Sequence, residues 1–190
     1  MKPKDSSNLT YPVLAETDRL HIRPLAAIHV ADWVRFMSDE KALEFFPKYK
    51  PEAAHRNAAE WIEAQMERYD QGRFGMHALI ERSTRSFVGQ CGLLAQEIDG
   101  NEELEIGFSL LRDYWGQGFA TEAATYFRDF AFEHRLGSSL ICIIHRDNRS
   151  SQDVAQRIGM RLDRSSNWRG LPVIIYRINN PNSDPAGYND

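Results

Sequence analysis

Cysteine is nearly missing from this 190-residue sequence, with Cys91 and Cys142 the only two. Both fall in apolar stretches patterned as strands, and neither has the spacing of a disulfide framework, so reduced core thiols are expected. Three of the six histidines, His21, His77 and His145, sit in strand patterns without a Cys or His neighbour at ligand spacing, so no metal is expected. Long apolar runs are missing as well. Nothing approaches the roughly 18 residues of a membrane helix, and no apolar stretch follows Met1-Lys-Pro-Lys-Asp-Ser-Ser7, which leads to the expectation of a cytoplasmic protein. There is no basic excess: 23 Lys and Arg against 27 Asp and Glu give a net charge of −4, which argues against general nucleic-acid binding. A phosphate-loop lysine and a full dinucleotide fingerprint are absent too, and with them the case for mononucleotide binding.

What is present suits one domain. With 42% hydrophobic residues the chain can build one sizeable core and is too short for two ordinary domains. The expected domain spans residues 13–179, with tails at 1–12 and 180–190 that are rich in Pro, Asn, Ser, Asp and Gly.

The most telling segment runs from Glu105 to Ala123. Leu104, Ile106, Phe108 and Leu110 alternate with Glu103, Glu105, Gly107 and Ser109, the period of a strand with one better-buried face. Gly116 and Gly118 follow, free of Cβ and able to take positive φ, so successive amides can converge on an anion. Ala123, Phe127, Phe130 and Ala131 then repeat at helical spacing, so the loop opens onto a helix N-terminus, where unpaired amides and the macrodipole favour a phosphate. Leu140-Ile-Cys-Ile-Ile144 is an unbroken apolar run, expected to form a central strand parallel to the first. His145-Arg-Asp-Asn148 ends it, and Asn148 and Ser151 stand where another helix begins. Capping alone would account for both.

Four segments together resemble the GNAT superfamily of acyltransferases and, within it, the RimJ/RimL-type branch that acetylates protein N-termini. They are Thr17-Asp-Arg-Leu-His-Ile-Arg-Pro-Leu25, Phe87-Val-Gly-Gln-Cys-Gly-Leu93, Tyr114-Trp-Gly-Gln-Gly-Phe-Ala-Thr-Glu-Ala123, and Asn148 to Ser151 through Ile158-Gly-Met160. The resemblance implies an α+β fold: a mixed, mostly antiparallel sheet of about seven strands with a central splayed parallel pair, flanked by about four helices. It implies acetyl-coenzyme A as acyl donor, with the pyrophosphate on the amides from about Gln117 through Gly118, Phe119 and Ala120 to Thr121. The pantetheine arm would lie between Phe108-Ser109-Leu110 and Ile143 to His145, with Gly116, Asn148 and Ser151 also at the cofactor. Arg146 and Arg149 could meet its ribose phosphate. Trp115 stands where the wider superfamily has Arg or Gln, as this branch commonly does. Ala155 stands where many members place a tyrosine proton donor, which leaves Ser151.

Amine acetylation needs a neutral nitrogen, and α-amines and lysines titrate near 8 and 10.4, so a base is required. Glu105 is the first candidate, by the resemblance and by its strand; Glu103, on the same face, is the alternate, and both could simply be solvated acids. A backbone N–H near Ser109 would stabilise the oxyanion. Ser151 would protonate the departing thiolate, a modest contribution given a thiol pKa of about 8.5.

Helices are expected over Ala26 to about Asp39 and over Pro51 to Tyr69, with Phe45, Phe46 and Tyr49 between them as pocket or core residues. Further strands are expected at Met76–Glu81, Met160–Arg164 and Leu171–Ile178. Asp99-Gly-Asn101 signals a hairpin turn, and the acids around it, Glu97, Asp99, Glu102, Glu103 and Glu105, would attract a cationic amine or form a solvated tip. The expected reaction is direct acetyl transfer in a ternary complex to a protein N-terminus or a small amine, since no cysteine stands at the site to carry an acyl group. Binding acetyl-coenzyme A without catalysis, as a sensor or partner-binding module, is the alternative. Exposed sheet edges make a homodimer conceivable.

Overall fold

A computed structural model describes residues 11–181. Eight strands form one sheet in the order β1-β2-β3-β4-β5-β6-β8-β7. β1 (Ala15–Glu16) and β2 (Leu20–Pro24) precede helices α1 (Val30–Met37) and α2 (Ala54–Asp70), each entered through one 3-10 turn. Then come β3 (Met76–Glu81), β4 (Phe87–Ile98), β5 (Asn101–Leu110), α3 (Phe119–Glu133), β6 (Ser139–His145), α4 (Arg149–Arg157), β7 (Arg161–Trp168) and β8 (Leu171–Asn179). All neighbours pair antiparallel except β5 and β6. The sheet has one strand more than expected, because the two-residue β1 adds an edge too short to show a period.

Helices cover both faces. Phe127, Ala131 and Phe119 of α3, with Ala155 of α4, pack against Leu104, Ile106, Leu140 and Cys142 on one side. On the other side Trp33, Phe36 and Met37 of α1 and Ala58 and Ile62 of α2 meet Met76, Ala78 and Leu94. Cys91 and Cys142 are free and buried in strands, as expected. Gly159, φ 88°, follows the end of α4, and there the Met160 N–H returns to the Ala155 carbonyl at 3.0 Å and satisfies a terminal acceptor.

At the ends the ordered structure reaches beyond 13–179. Tyr11 packs edge-on against Phe74 and His77 at 5.2 and 5.0 Å, and the Asn180 N–H bonds Ser138 O at 2.8 Å. Residues 1–10 and 182–190 of the expected tails lie outside the described residues.

The β4–β5 hairpin turns on Asp99 and Gly100, φ 52° and 76°, the two successive positive values of a type I′ turn. Its tip is exposed yet tethered: Asp99 accepts from Arg164 Nε at 2.9 Å and Ser166 Oγ at 2.6 Å, and Ile98 packs with Ile141, Val173 and Ile175. These contacts carry the arm across the face of β6 and β8 onto β7. They also explain why β7 runs to Trp168 and not, as expected, to Arg164. Its polar residues show no apolar period, and β8 and Asp99 hold them in place.

β5 and β6 pair at one position, Glu105 with Ile141. Beyond it they diverge, and since α3 follows β5 and α4 follows β6, both helix N-termini stand at the open end of the gap.

Candidate active site

The register shows which backbone groups face the gap. Leu111 N–H bonds Val88 O and Gln90 pairs with Ser109, so the odd-numbered residues of β5 direct their amides and carbonyls to β4. The even-numbered ones face β6. Ser109 is therefore not the free amide expected for an oxyanion; Phe108 is, one residue earlier. Leu110 keeps only part of its expected role, because its carbonyl accepts Trp115 Nε1 at 2.8 Å. That bond gives Trp115 a function that no charge comparison suggests: it ties the glycine loop to the end of the strand.

A regular parallel ladder would continue with Ile143 N–H on Ile106 O. Here Ile106 O takes the Cys142 thiol at 3.2 Å, while the Ile143 amide favours the Glu105 carboxylate. The strands therefore part where Glu105 sits, leaving Phe108 with an open backbone edge and Ile143 with an open carbonyl.

Glu105 is only 8% exposed, which removes the solvated reading. Burial pushes its carboxyl up to about 7, partly opposed by Gln96, whose Nε2 donates to Oε2 at 2.7 Å, and by the Ile143 amide. Such a group can both accept and release a proton near neutrality. Glu103 is in a different state: Arg177 holds it through Nη1 at 3.0 Å and Nη2 at 2.5 Å, with Asp163 and Ser139 on the same guanidinium. It is tied up as an ion-pair partner. With Asp99 also paired, Glu97 and Glu102 are the unpaired exposed acids at the arm, so the expected acidic attraction is largely neutralised.

The glycine loop takes the backbone shape that its glycines suggest. Gly116 and Gly118 have φ 72° and 84°, and Gly118 is the N-cap of α3. Within the helix the first amide to find a carbonyl is that of Glu122, bonded to Gly118 O at 3.0 Å, so those of Phe119, Ala120 and Thr121 have no backbone acceptor among the described residues. Gly116, Gln117 and Gly118 are exposed. The Phe119 side chain is buried and offers only its amide. The Gln117 side chain donates to Asp113 O at 2.7 Å, and the Gln117 backbone carbonyl accepts Arg19 Nη1 at 2.9 Å. Arg19, which stands over the Phe119 ring at 4.4 Å and pairs with Glu122 at 2.7 Å, is a contact of this loop that the sequence reading missed. Its signal was only a cation in the turn before β2.

At α4 the Asn148 Oδ1 accepts Ser151 N–H at 3.1 Å, so Asn148 is an N-cap. The Ser151 hydroxyl has no partner among the described residues and is half-buried. Ala155 is buried in the core.

Over the opposite face the α1–α2 loop sets Phe45 against His145 at 5.1 Å and Tyr49 edge-on to Trp61 at 6.4 Å, while Phe46 turns outward onto Phe36. Phe45 thus bridges to the end of β6. Trp61 Nε1 donates to Gln90 Oε1 at 2.8 Å, and Gln90 Nε2 is buried without a partner among the described residues. Among those residues no cluster of three or more His, Cys, Asp or Glu could hold a metal, and no helix is long and apolar enough to cross a membrane.

Comparison with known proteins bears on the family and the fold. Residues 19–161 match the acetyltransferase (GNAT) domain family. The Bacillus subtilis (strain 168) protein YkkB is 28% identical over 163 residues, covering 84% of this chain and 92% of that protein. The crystal structure of an acetyltransferase from Agrobacterium tumefaciens str. C58 superposes with a TM-score of 0.71 at 26% identity, covering 92% and 99% of the two chains. RimL, a ribosomal L7/L12 α-N-protein acetyltransferase solved with coenzyme A, shares the fold with a TM-score of 0.71 at 16% identity over 87% and 97%.

Proposed function

This chain belongs to the GNAT acetyltransferase family, and we propose that it transfers acetyl from acetyl-coenzyme A directly to a primary amine in the cytoplasm, with Glu105 as base. The observation that carries this reading is a buried carboxyl held near 7 where the parallel strands part.

The residues present fit the donor. Unbonded amides at Phe119, Ala120 and Thr121, with Gln117 and the left-handed Gly118 before them, would hold the pyrophosphate. The open edge of Phe108 and the open carbonyl of Ile143 would pair with the pantetheine amides as an added strand does. RimL, which shares the fold, was solved with coenzyme A. The donor supplies an activated thioester; the protein supplies position and proton transfer. Glu105 takes the proton that the amine nitrogen loses as its new N–C bond forms and the C–S bond breaks. The Phe108 amide faces the charge that develops on the carbonyl oxygen. Ser151 hydroxyl stands at the start of α4 to protonate the leaving thiolate, recovering its proton from solvent.

Thiol release from acetyl-coenzyme A across a panel of amines tests the reading, with calorimetry of coenzyme A binding in parallel. Glu105→Gln should abolish most release and leave binding unchanged. Tight binding with no release for any amine would instead support a sensor.

A further inference from the structure

Beside Glu105 lies a second feature that the transfer chemistry does not use. A cavity of about 220 Å³ opens between the end of α2 and the β4–β5 arm, lined by Arg68, Arg73, Gln96, Glu97, Glu102 and Glu103 among others. Gln96 is shared, for it lines this cavity and donates to Glu105.

Its cations are not matched. Arg73 forms no ion pair among the described residues, and its Nε is buried there without any hydrogen-bond partner. Arg68 reaches only the Phe74 carbonyl, at 3.4 Å. Burial, and after it the guanidinium of Arg73, depress its pKa, with Arg169 adding to the effect. Arg169, at the exposed tip of the β7–β8 hairpin and stacked on Trp168 at 4.2 Å, also acts on Glu105. Arg68 and Arg73 therefore line one cavity, Arg169 acts on both Arg68 and Glu105, and Gln96 joins the cavity to Glu105. Against these arginines stand Glu97 and Glu102, since Glu103 is held by Arg177. A buried guanidinium nitrogen without an acceptor is costly, and neighbouring like charges add to the cost. An anion seated between Arg68 and Arg73 would remove both penalties, and carboxylate geometry matches their forked donors.

Resting on the acetyltransferase reading above, we infer that the acceptor is a small amine bearing a carboxylate, of the size of a free amino acid, whose carboxylate binds Arg68 and Arg73 while its amine reaches Glu105. Size supports this choice. The cavity holds about seven water volumes of roughly 30 Å³ each, enough for an amino acid and below the range of larger ligands. Glu97 and Glu102 at its rim disfavour acceptors with further negative charge.

The test compares alanine, leucine, methionine and phenylalanine with their carboxamides as acceptors, by thiol release and by calorimetry on the coenzyme A-loaded protein. The amino acids should have KM and Kd values at least about tenfold below those of the amides. Arg73→Gln should erase that difference, and Arg169→Ala, at an exposed position, should shrink it, with coenzyme A affinity unchanged in both. Amides that bind and react as well as the amino acids would overturn the inference, as would arginine variants that weaken both series equally. Failure of coenzyme A to bind at all would count against the family-level donor assignment, a separate result.

Discussion

Gln96 and Glu105 meet across the β4–β5 arm, amide nitrogen to carboxylate oxygen at 2.7 Å, in a site where burial has already raised the carboxyl to about 7. The bond favours the ionised form, so Gln96 holds the Glu105 carboxyl lower than burial alone would. Gln96→Leu should move the acidic limb of the kcat/KM profile to higher pH, with coenzyme A affinity unchanged. A limb that stays in place would assign Gln96 to packing alone.

Glu105 is also a stability liability. A carboxyl with a folded pKa near 7 and an unfolded one near 4.5 binds its proton more tightly in the folded state, so stability falls as pH rises from about 4.5 to 7. Removing the charge should recover up to about 3 kcal/mol. Glu105→Gln is therefore expected to melt higher than wild type at pH 8 and nearly level with it at pH 4, while losing activity by about 10²- to 10⁴-fold. Thermal melts at both pH values check the sign.

Glu103→Gln separates the two candidate acids. It breaks the pair with Arg177, whose side chain keeps Asp163 and Ser139, and it leaves Glu105 untouched. We expect destabilisation of about 1–3 kcal/mol with little change in the pH profile of kcat. Loss of activity matching that of Glu105→Gln would move the base to Glu103.

Much of this architecture was legible in the chain. The period of two through Leu104, Ile106 and Phe108, the glycines at 116 and 118 and the apolar run at Leu140–Ile144 each report a local demand of the backbone, and the structure meets each one. The Glu103–Arg177 pair and the arm folded onto β7 join residues distant in sequence, and the Gln96–Glu105 bond depends on the side-chain reach across a hairpin, so no periodicity announces them. Register decided one further point, since moving a single residue from Ser109 to Phe108 turns the amide from β4 to the gap.

The proposed pyrophosphate cradle depends on backbone shape more than on side chains. Gly118 holds φ 84°, so Gly118→Ala should cost about 1 kcal/mol of folding stability. It should also weaken coenzyme A binding, because the amides it positions would turn. Calorimetry on Gly118→Ala checks this; unchanged affinity would place the pyrophosphate elsewhere.

The central claim is tested most directly by the pH dependence of kcat/KM for acetyl transfer, measured beside coenzyme A affinity in wild type and Glu105→Gln. The account predicts an acidic limb near 7 in wild type, its loss together with most of the rate in the variant, and equal affinities. A variant that keeps both the limb and the rate would contradict it.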